Sequence, residues 1–439
     1  MSHISFAGGT RIPHPHYIPV SRFPHELLAE ILLLCASLRY DSVTKRNYAL
    51  FPSHVCRHWR STALSTPALW TFILFQCERE ADIIRESDCA RVWLSRSAQR
   101  PLSIEVVAGV SKACSEAALR VVTPHCTRWK AITSVLPMDP HIWCEVAGSL
   151  PLLESANLSY GTGEAFAIAP RLRHLQLQLE KPPRFVPVKL PWTQLVHLEL
   201  NILDNYGRSH IRMILQQASN IASLKICAFR RTGLLPESTI LTLPNISTFE
   251  ILGDDDNLIK WFLDGLVLPG LRVLSLPEQW ICATSLLSRS GCNLSSFDIH
   301  INNMFGFLEL GKLPRNNSLP NLLVRVERVD YWNMVVRSLT YHRGVTRFSN
   351  LRSLEMSFFV LPTRPVFMDR FADMVESRWR CEDLDLNSES PGCSKLNRVK
   401  LVVLDDVSIH RAAIARLRTF AAEGLNITIY FGIDQEQLI

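Results

Sequence analysis

Leu172-Arg173-His174-Leu175-Gln176-Leu177, Leu195-Val196-His197-Leu198-Glu199-Leu200 and Ile221-Ala222-Ser223-Leu224-Lys225-Ile226 are three copies of one pattern, L-x-x-L-x-L, with other large apolar residues allowed. Ile246/Phe249/Ile251, Leu271/Leu274/Leu276, Leu294/Phe297/Ile299 and Leu351/Leu354/Met356 repeat it. The first positions of the first six copies are separated by 23, 26, 25, 25 and 23 residues. Weaker copies sit at Leu153/Ala156/Leu158, Leu319/Leu322/Val324 and Cys381/Leu384/Leu386.

The last L-x-L of each copy reads as a short strand that buries alternate residues. The apolar residue three positions earlier turns into the same core. One such strand cannot cover its own face, but neighbours stacked in parallel can. Between the strands lie helical patches at Ile211–Ala218, Asn257–Leu266, Gln279–Arg289, Phe367–Ser377 and His410–Glu423, and further strands are expected at Val399–Leu404 and Leu425–Tyr430. In Asn257–Leu266, the residues Leu258, Ile259, Trp261, Phe262 and Leu266 form the inward stripe, and Asp254-Asp255-Asp256 reads as a capping turn. Pro244-Asn245, Pro269-Gly270 and Pro320-Asn321 punctuate the approach to three copies. Periods of 20–29 residues are those of leucine-rich repeats. The expected fold class is α/β: an N-terminal helical segment, then a repeat solenoid with a curved parallel sheet and helices on its outer face.

The N-terminal part has a different pattern. Residues 1–20 are Pro/His/Gly-rich and read as a flexible tail, and His14 and His16 have no neighbouring ligand cluster. Residues 21–75 read as a helical module. Its first helix opens near Ser21 and Pro24 and carries Leu27, Leu28, Ile31, Leu32, Cys35 and Leu38 at helical spacing. A loop is expected around Arg39–Asn47, then a second helix holding Val55, Cys56, Trp59, Ala63 and Leu64 and ending at Pro67. Residues 76–110 read as a helical linker, with Ala81, Ile84, Ala90, Trp93 and Leu94 inward, followed by a first strand at Leu102–Val106 that caps the repeats. Residues 111–439 form the repetitive body.

Composition narrows the function. The 439 residues are 47% hydrophobic and 20% charged, enough apolar side chain for a substantial core. The net charge of +6 is too mild to demand nucleic acid. It is uneven, however: residues 1–75 hold seven basic and three acidic side chains, a net +4. The 12 cysteines are scattered with no C-x-x-C pair, which reads as reduced thiols rather than a disulfide or zinc framework. No apolar leader opens the chain, and the longest apolar run, Ile31–Ala36, is too short to span a bilayer. No phosphate loop, G-x-S-x-G elbow or H-E-x-x-H helix is present, and Gly161-Thr162-Gly163 is not a dinucleotide fingerprint. A binding protein with no cofactor, no metal and no catalytic centre is expected, in the cytoplasm or nucleus, with neither nucleic acid nor membrane as partner.

Two stretches carry a family resemblance. Phe23-Pro24-x-Glu26-Leu27-Leu28-x-Glu30-Ile31-Leu32, followed by Val55-Cys56-Arg57-x-Trp59-Arg60-x-x-Ala63, resembles the F-box, whose usual wording is L-P-x-E-L-x-x-x-I-L and then V-C-x-x-W. Phe23 replaces the common Leu, and Arg39–Phe51 between the halves is longer and more polar than usual. The flank Ala63-Leu64-Ser65-Thr66-Pro67-x-Leu69-Trp70, and Trp93-Leu94-x-Arg96-Ser97 leading into Pro101-Leu102-Ser103-Ile104, are similar to F-box-like proteins of mushroom-forming fungi, in which an F-box precedes degenerate leucine-rich repeats. The resemblance implies binding to the Skp1-type adaptor of a cullin ubiquitin ligase. It assigns adaptor contact and core to Pro24, Leu27, Leu28, Ile31, Leu32, Val55, Cys56 and Trp59. A protein substrate would then be held by solvent-facing strand residues such as Gln176, Gln178, Glu199, Lys225, Glu250, Ser275 and Asp298, which alternate with the buried leucines. Two alternatives stay open: a repeat scaffold that binds protein with no ligase role, and an enzyme or small-ligand protein that uses the concavity of the solenoid.

Overall fold

The computed structural model describes residues 23–37, 42–77, 79–107, 112–134, 143–159, 164–179, 189–203, 208–228, 240–253, 255–277, 283–301, 319–326, 329–342, 348–358, 366–381, 393–403, 411–431 and 436–437. The tail at residues 1–20, Ser21, Leu38, Gly161-Thr162-Gly163 and the weak copy at Leu384/Leu386 lie outside them. The chain divides into two compact units, Met1–Glu154 with Ile168–Arg171, and Ser155–Ala167 with Leu172–Ile439.

The first unit starts with four helices: α1 (His25–Ser37), α2 (Ser42–Leu50), α3 (Pro52–Val55) and α4 (Arg57–Leu64). A 3₁₀ turn (Pro67–Trp70) leads into β1 (Phe72–Phe75); then come α5 (Ile83–Arg96), β2 (Leu102–Val106), α6 (Lys112–Val122) and β3 (Trp129–Ser134). The three strands pair in parallel and in chain order. Trp70 anchors this unit. It is fully buried, donates its indole N–H to the Ala63 carbonyl at 2.8 Å and meets the Trp93 ring edge-on at 5.0 Å.

Three expectations change here. The loop expected at Arg39–Asn47 is helix α2 from Ser42 onward. Polar contacts hold it: Ser42 donates to the Glu105 carboxylate at 2.7 Å, Arg46 pairs with Glu86 at 2.8 Å, and Lys45 lies over the Phe72 ring. The single helix expected through Val55–Leu64 is two pieces, because Cys56 is extended (φ −157°, ψ 174°) and its sulfur accepts the Trp59 amide as the cap of α4. On α5, Ala90, Trp93 and Leu94 are buried as expected, whereas Ile84, and Ala81 in the turn before the helix, face solvent; Glu86 and Ser87 turn inward instead.

The second unit is an α/β layer pair built on a large parallel sheet. Its strands are β4 (Ser155–Ser159), β5 (His174–Leu179), β6 (His197–Ile202), β7 (Ser223–Ala228), β9 (Thr248–Gly253), β11 (Val273–Leu276), β12 (Ser296–Ile301), β13 (Asn321–Val326), β14 (Ser353–Phe358), β15 (Arg398–Val403) and β16 (Asn426–Phe431), hydrogen-bonded in that order. β17 (Glu436–Gln437) closes the series antiparallel to β16. β8 (Leu241–Thr242) and β10 (Leu266–Val267) form a separate two-stranded pair. Helices α7 (Arg208–Gln217), α8 (Asp256–Gly265), α9 (Ala283–Ser290), α10 (Val329–Leu339), α11 (Val366–Trp379) and α12 (Arg411–Ala422) lie in the crossovers. Parallel neighbours in chain order need crossovers of one hand, so the helices gather on one face of the sheet. The architecture is solenoid-like.

The motif positions land where burial requires. Leu172, Leu195, Ile221, Ile246, Leu271, Leu294 and Leu351 are buried, as are the two following apolar residues of each copy. Leu396, Val399 and Leu401 form a further buried copy that the spacing had not singled out. Asp255 caps α8 by accepting the Leu258 amide at 3.2 Å. Backbone geometry repeats as well. Ala222 and Ser223 both donate to the Val196 carbonyl, Ser247 and Thr248 to Ala222, and Arg272 and Val273 to Ser247. Ser295 and Ser296 do the same to Arg272, and Asn397 and Arg398 to Arg352. Each of these strand entries is thus fastened to its predecessor by two amides on one oxygen, which satisfies donors that would otherwise be orphaned at the turn.

Candidate functional site

Two surfaces carry the residues singled out by sequence. The first is on α1. Pro24 precedes the helix, and its carbonyl accepts the Leu28 amide at 3.1 Å. Leu28 and Leu32 are 2% and 5% exposed; they belong to the core of the unit, not to an outer face. Leu27, Ile31 and Leu34 are 49%, 43% and 63% exposed and fall four and three residues apart, on one stripe of the helix. Burying a large aliphatic side chain stabilises by roughly 1.5–3 kcal/mol, so leaving half of each in water forgoes on the order of 1 kcal/mol per residue. Val55 and Cys56 are also exposed, as is Phe51, while Trp59 is half-buried with its indole nitrogen enclosed and without a hydrogen bond.

The two halves of the motif are joined mainly through its variable positions, with the Phe23 backbone. His25 shares a 2.7 Å hydrogen bond with the Thr62 hydroxyl, and His58 Nε2 lies 2.9 Å from the Phe23 carbonyl. The rings of His25 and His58 approach to 4.4 Å between centroids. These contacts set α1 on α4 and orient the exposed stripe. The residue types offered no signal for them, because pairing across 33 positions is invisible to periodicity.

The second surface is the face of the second unit's sheet opposite the helices. Strand register aligns the expected residues in one row: Asn157, Gln176, Glu199, Lys225, Glu250, Ser275, Asp298, Leu323, Glu355 and Lys400, each opposite the next. Gln178 falls in the adjacent row with Asn201 and Cys227. Strands sit about 4.8 Å apart, so row neighbours touch. The Gln176 amide donates to Glu199 at 3.1 Å, Lys225 pairs with Glu199 at 3.7 Å, and Lys400 pairs with Glu355 at 2.7 Å. Arg325 bonds Asp298 at 2.8 Å and contacts His300 at 2.9 Å, while Ser275 donates to the same carboxylate at 3.3 Å. Glu355 and Lys400 were missed by sequence reading, although each stands between two buried motif residues and obeys the same alternation.

Burial and close neighbours shift several ionisable groups on this face. Burial raises the Asp298 carboxyl above its ordinary value against the pull of Arg325. The Cys227 thiol is pushed up to about 11 by burial and by Glu199, so it stays protonated and donates toward that carboxylate. His174 and His197 stack at 4.5 Å with planes 8° apart. Burial, then the neighbouring ring, lowers His197 below the usual histidine range. Among the described residues, no group of three or more His, Cys, Asp or Glu is placed to hold a metal ion, and no helix is long and apolar enough to cross a membrane.

No family model matches the chain, and no curated protein matches it.

Proposed function

We propose that this chain is the substrate-recognition subunit of a Skp1-cullin-F-box type ubiquitin ligase, with the N-terminal helices acting as the F-box and the parallel sheet as a leucine-rich-repeat substrate platform. The observation that carries the reading is the exposed stripe Leu27/Ile31/Leu34 beside the buried Leu28 and Leu32. A helix that leaves such a stripe in water, on a module this small, gains by docking it on a partner. The net +4 of residues 1–75 favours an acidic partner by steering.

Function in this reading is positional. The stripe docks on the adaptor, and through it on the cullin. The row from Gln176 to Lys400 holds the substrate, and tethering raises the effective concentration of a target lysine at the ubiquitin-loaded enzyme. No group of the chain takes part in bond making, which fits the protonated Cys227 and the internally paired carboxylates of the face.

The test is capture of purified Skp1-type adaptor by the full chain. Wild-type protein is expected to retain adaptor, and the double variant Leu27→Asp/Ile31→Asp to lose it while keeping its far-UV spectrum. A wild-type chain that never retains adaptor would leave a repeat scaffold without ligase role.

A further inference from the structure

Helices α5 and α6 pack side by side, and an open groove of about 830 Å³ runs between them. Its α5 wall is a single stripe: Ile83 and Ile84, Ser87, Arg91, then Leu94 and Ser95. At 1.5 Å per residue that stripe is about 18 Å long, or roughly three helical turns. Ala117, Arg120 and Val121, at helical spacing on α6, make the other wall, and Pro124 and His125 close its end. Ile84 is 75% exposed over the groove, the most exposed large apolar side chain among the described residues.

The charge of the groove is one-sided. No carboxylate lines it, while Arg91 and Arg120 do; burial and then Arg128 hold His125 below the usual histidine range, so it adds no charge. Arg91 pairs with Asp88 outside the lining at 2.6 Å; Arg120 has no ion-pair partner among the described residues. A single alkyl chain would leave most of both walls in water, because the groove is open along its length. A strand would find no sheet edge to pair with. A third helix laid between the two matches length, width and apolar floor, the geometry of helix-in-groove recognition.

We propose that this groove binds a short acidic amphipathic helix of a partner protein, with the apolar stripe of that helix on Ile83, Ile84, Leu94 and Val121 and its carboxylates toward Arg91 and Arg120. The site is separate from the α1 stripe and does not rest on the ligase reading.

The probe is a fluorescent helix-forming peptide of about 14 residues, with leucines at i, i+3/i+4 and i+7 spacing and glutamates elsewhere. Its controls are an analogue with lysine for every glutamate and a scrambled peptide, all titrated by anisotropy against the full chain. The glutamate peptide is expected to bind about tenfold or more tighter than either control, with affinity falling as salt rises. Ile84→Asp and Arg120→Glu should each weaken it about tenfold with unchanged thermal midpoints, since both side chains are exposed. Leu27→Asp/Ile31→Asp should leave it unchanged. Equal binding of the three peptides, indifference to Ile84→Asp and Arg120→Glu, or loss on changing Leu27 and Ile31 would each overturn the proposal. So would binding of laurate or anionic vesicles in place of the peptide, which would assign the groove to an amphiphile.

Discussion

Arg46 Nη1 lies 2.8 Å from Glu86 Oε2, and this ion pair, rather than an apolar seam, fastens α2 to α5. Only 4% of the Glu86 side chain is exposed, and its second oxygen is 3.4 Å from Arg85. Removing Arg46 leaves an under-compensated carboxylate in a desolvated place. Arg46→Met is therefore expected to destabilise by about 2–4 kcal/mol, while Arg46→Met/Glu86→Met recovers much of that loss because both charges go together. Urea denaturation of the two variants reads the difference.

Adjacent positions of α1 should behave oppositely. Leu28→Asp places a charge in the core and is expected to cost more than about 3 kcal/mol, enough to unfold the module. Leu27→Asp, one residue earlier and half exposed, should cost only about 1 kcal/mol, the worth of its buried half. Thermal melts followed by circular dichroism distinguish them, and any binding defect of Leu27→Asp can then be charged to the surface alone.

Two glycines with positive φ should differ sharply. At Gly253 (φ +127°) an added methyl group would overlap the Ala228 carbonyl on the paired strand. At Gly424 (φ +105°) nothing lies within 4 Å of such a group. Gly424→Ala should cost about 1 kcal/mol of backbone strain, and Gly253→Ala clearly more, because it must also push β7 from β9. Chemical denaturation midpoints provide the comparison.

The partial burial of His197, and then its stack on His174, make stability depend on pH. His197 binds its proton more weakly in the folded chain than the ordinary value of 6.5 implies, through burial and then His174. The resulting contribution is fully present above about pH 6.5 and is lost as pH falls through the lower folded value. In an NMR titration His174→Ala should move the His197 midpoint upward without restoring it fully, since burial is the larger cause. An unchanged midpoint would mean the rings do not interact.

The repetitive half of this fold was legible because each motif leucine faces a buried layer and each intervening residue does not; Gln176, Glu199 and Lys225 fall in one row by that rule alone. The strand at Val399–Leu404 was expected, but Leu396/Val399/Leu401 was not singled out as a motif copy, because Val399 stands where the pattern asks for Leu, Ile, Phe or Met. Helix α2 was illegible for a different reason. Ser42, Lys45 and Arg46 attach it by polar contacts to Glu105, Phe72 and Glu86, and such contacts leave no apolar period. Ile84 was misplaced because helical spacing alone does not say which apolar stripe of an exposed helix meets the core. The motif in the first helix named Leu27, Leu28, Ile31 and Leu32 together, and only packing separates the outer pair from the inner one.

The row across the sheet has a consequence for how such a protein can change over generations. Each of the ten strands from β4 to β15 in the series offers one side chain to that row from the same backbone frame, while residues of the opposite parity carry the core. A substitution at Gln176, Glu250 or Lys400 rewrites one letter of the surface and leaves the spelling of the fold untouched. If the row binds substrate as proposed, point replacement within it changes the target without refolding the body that displays it.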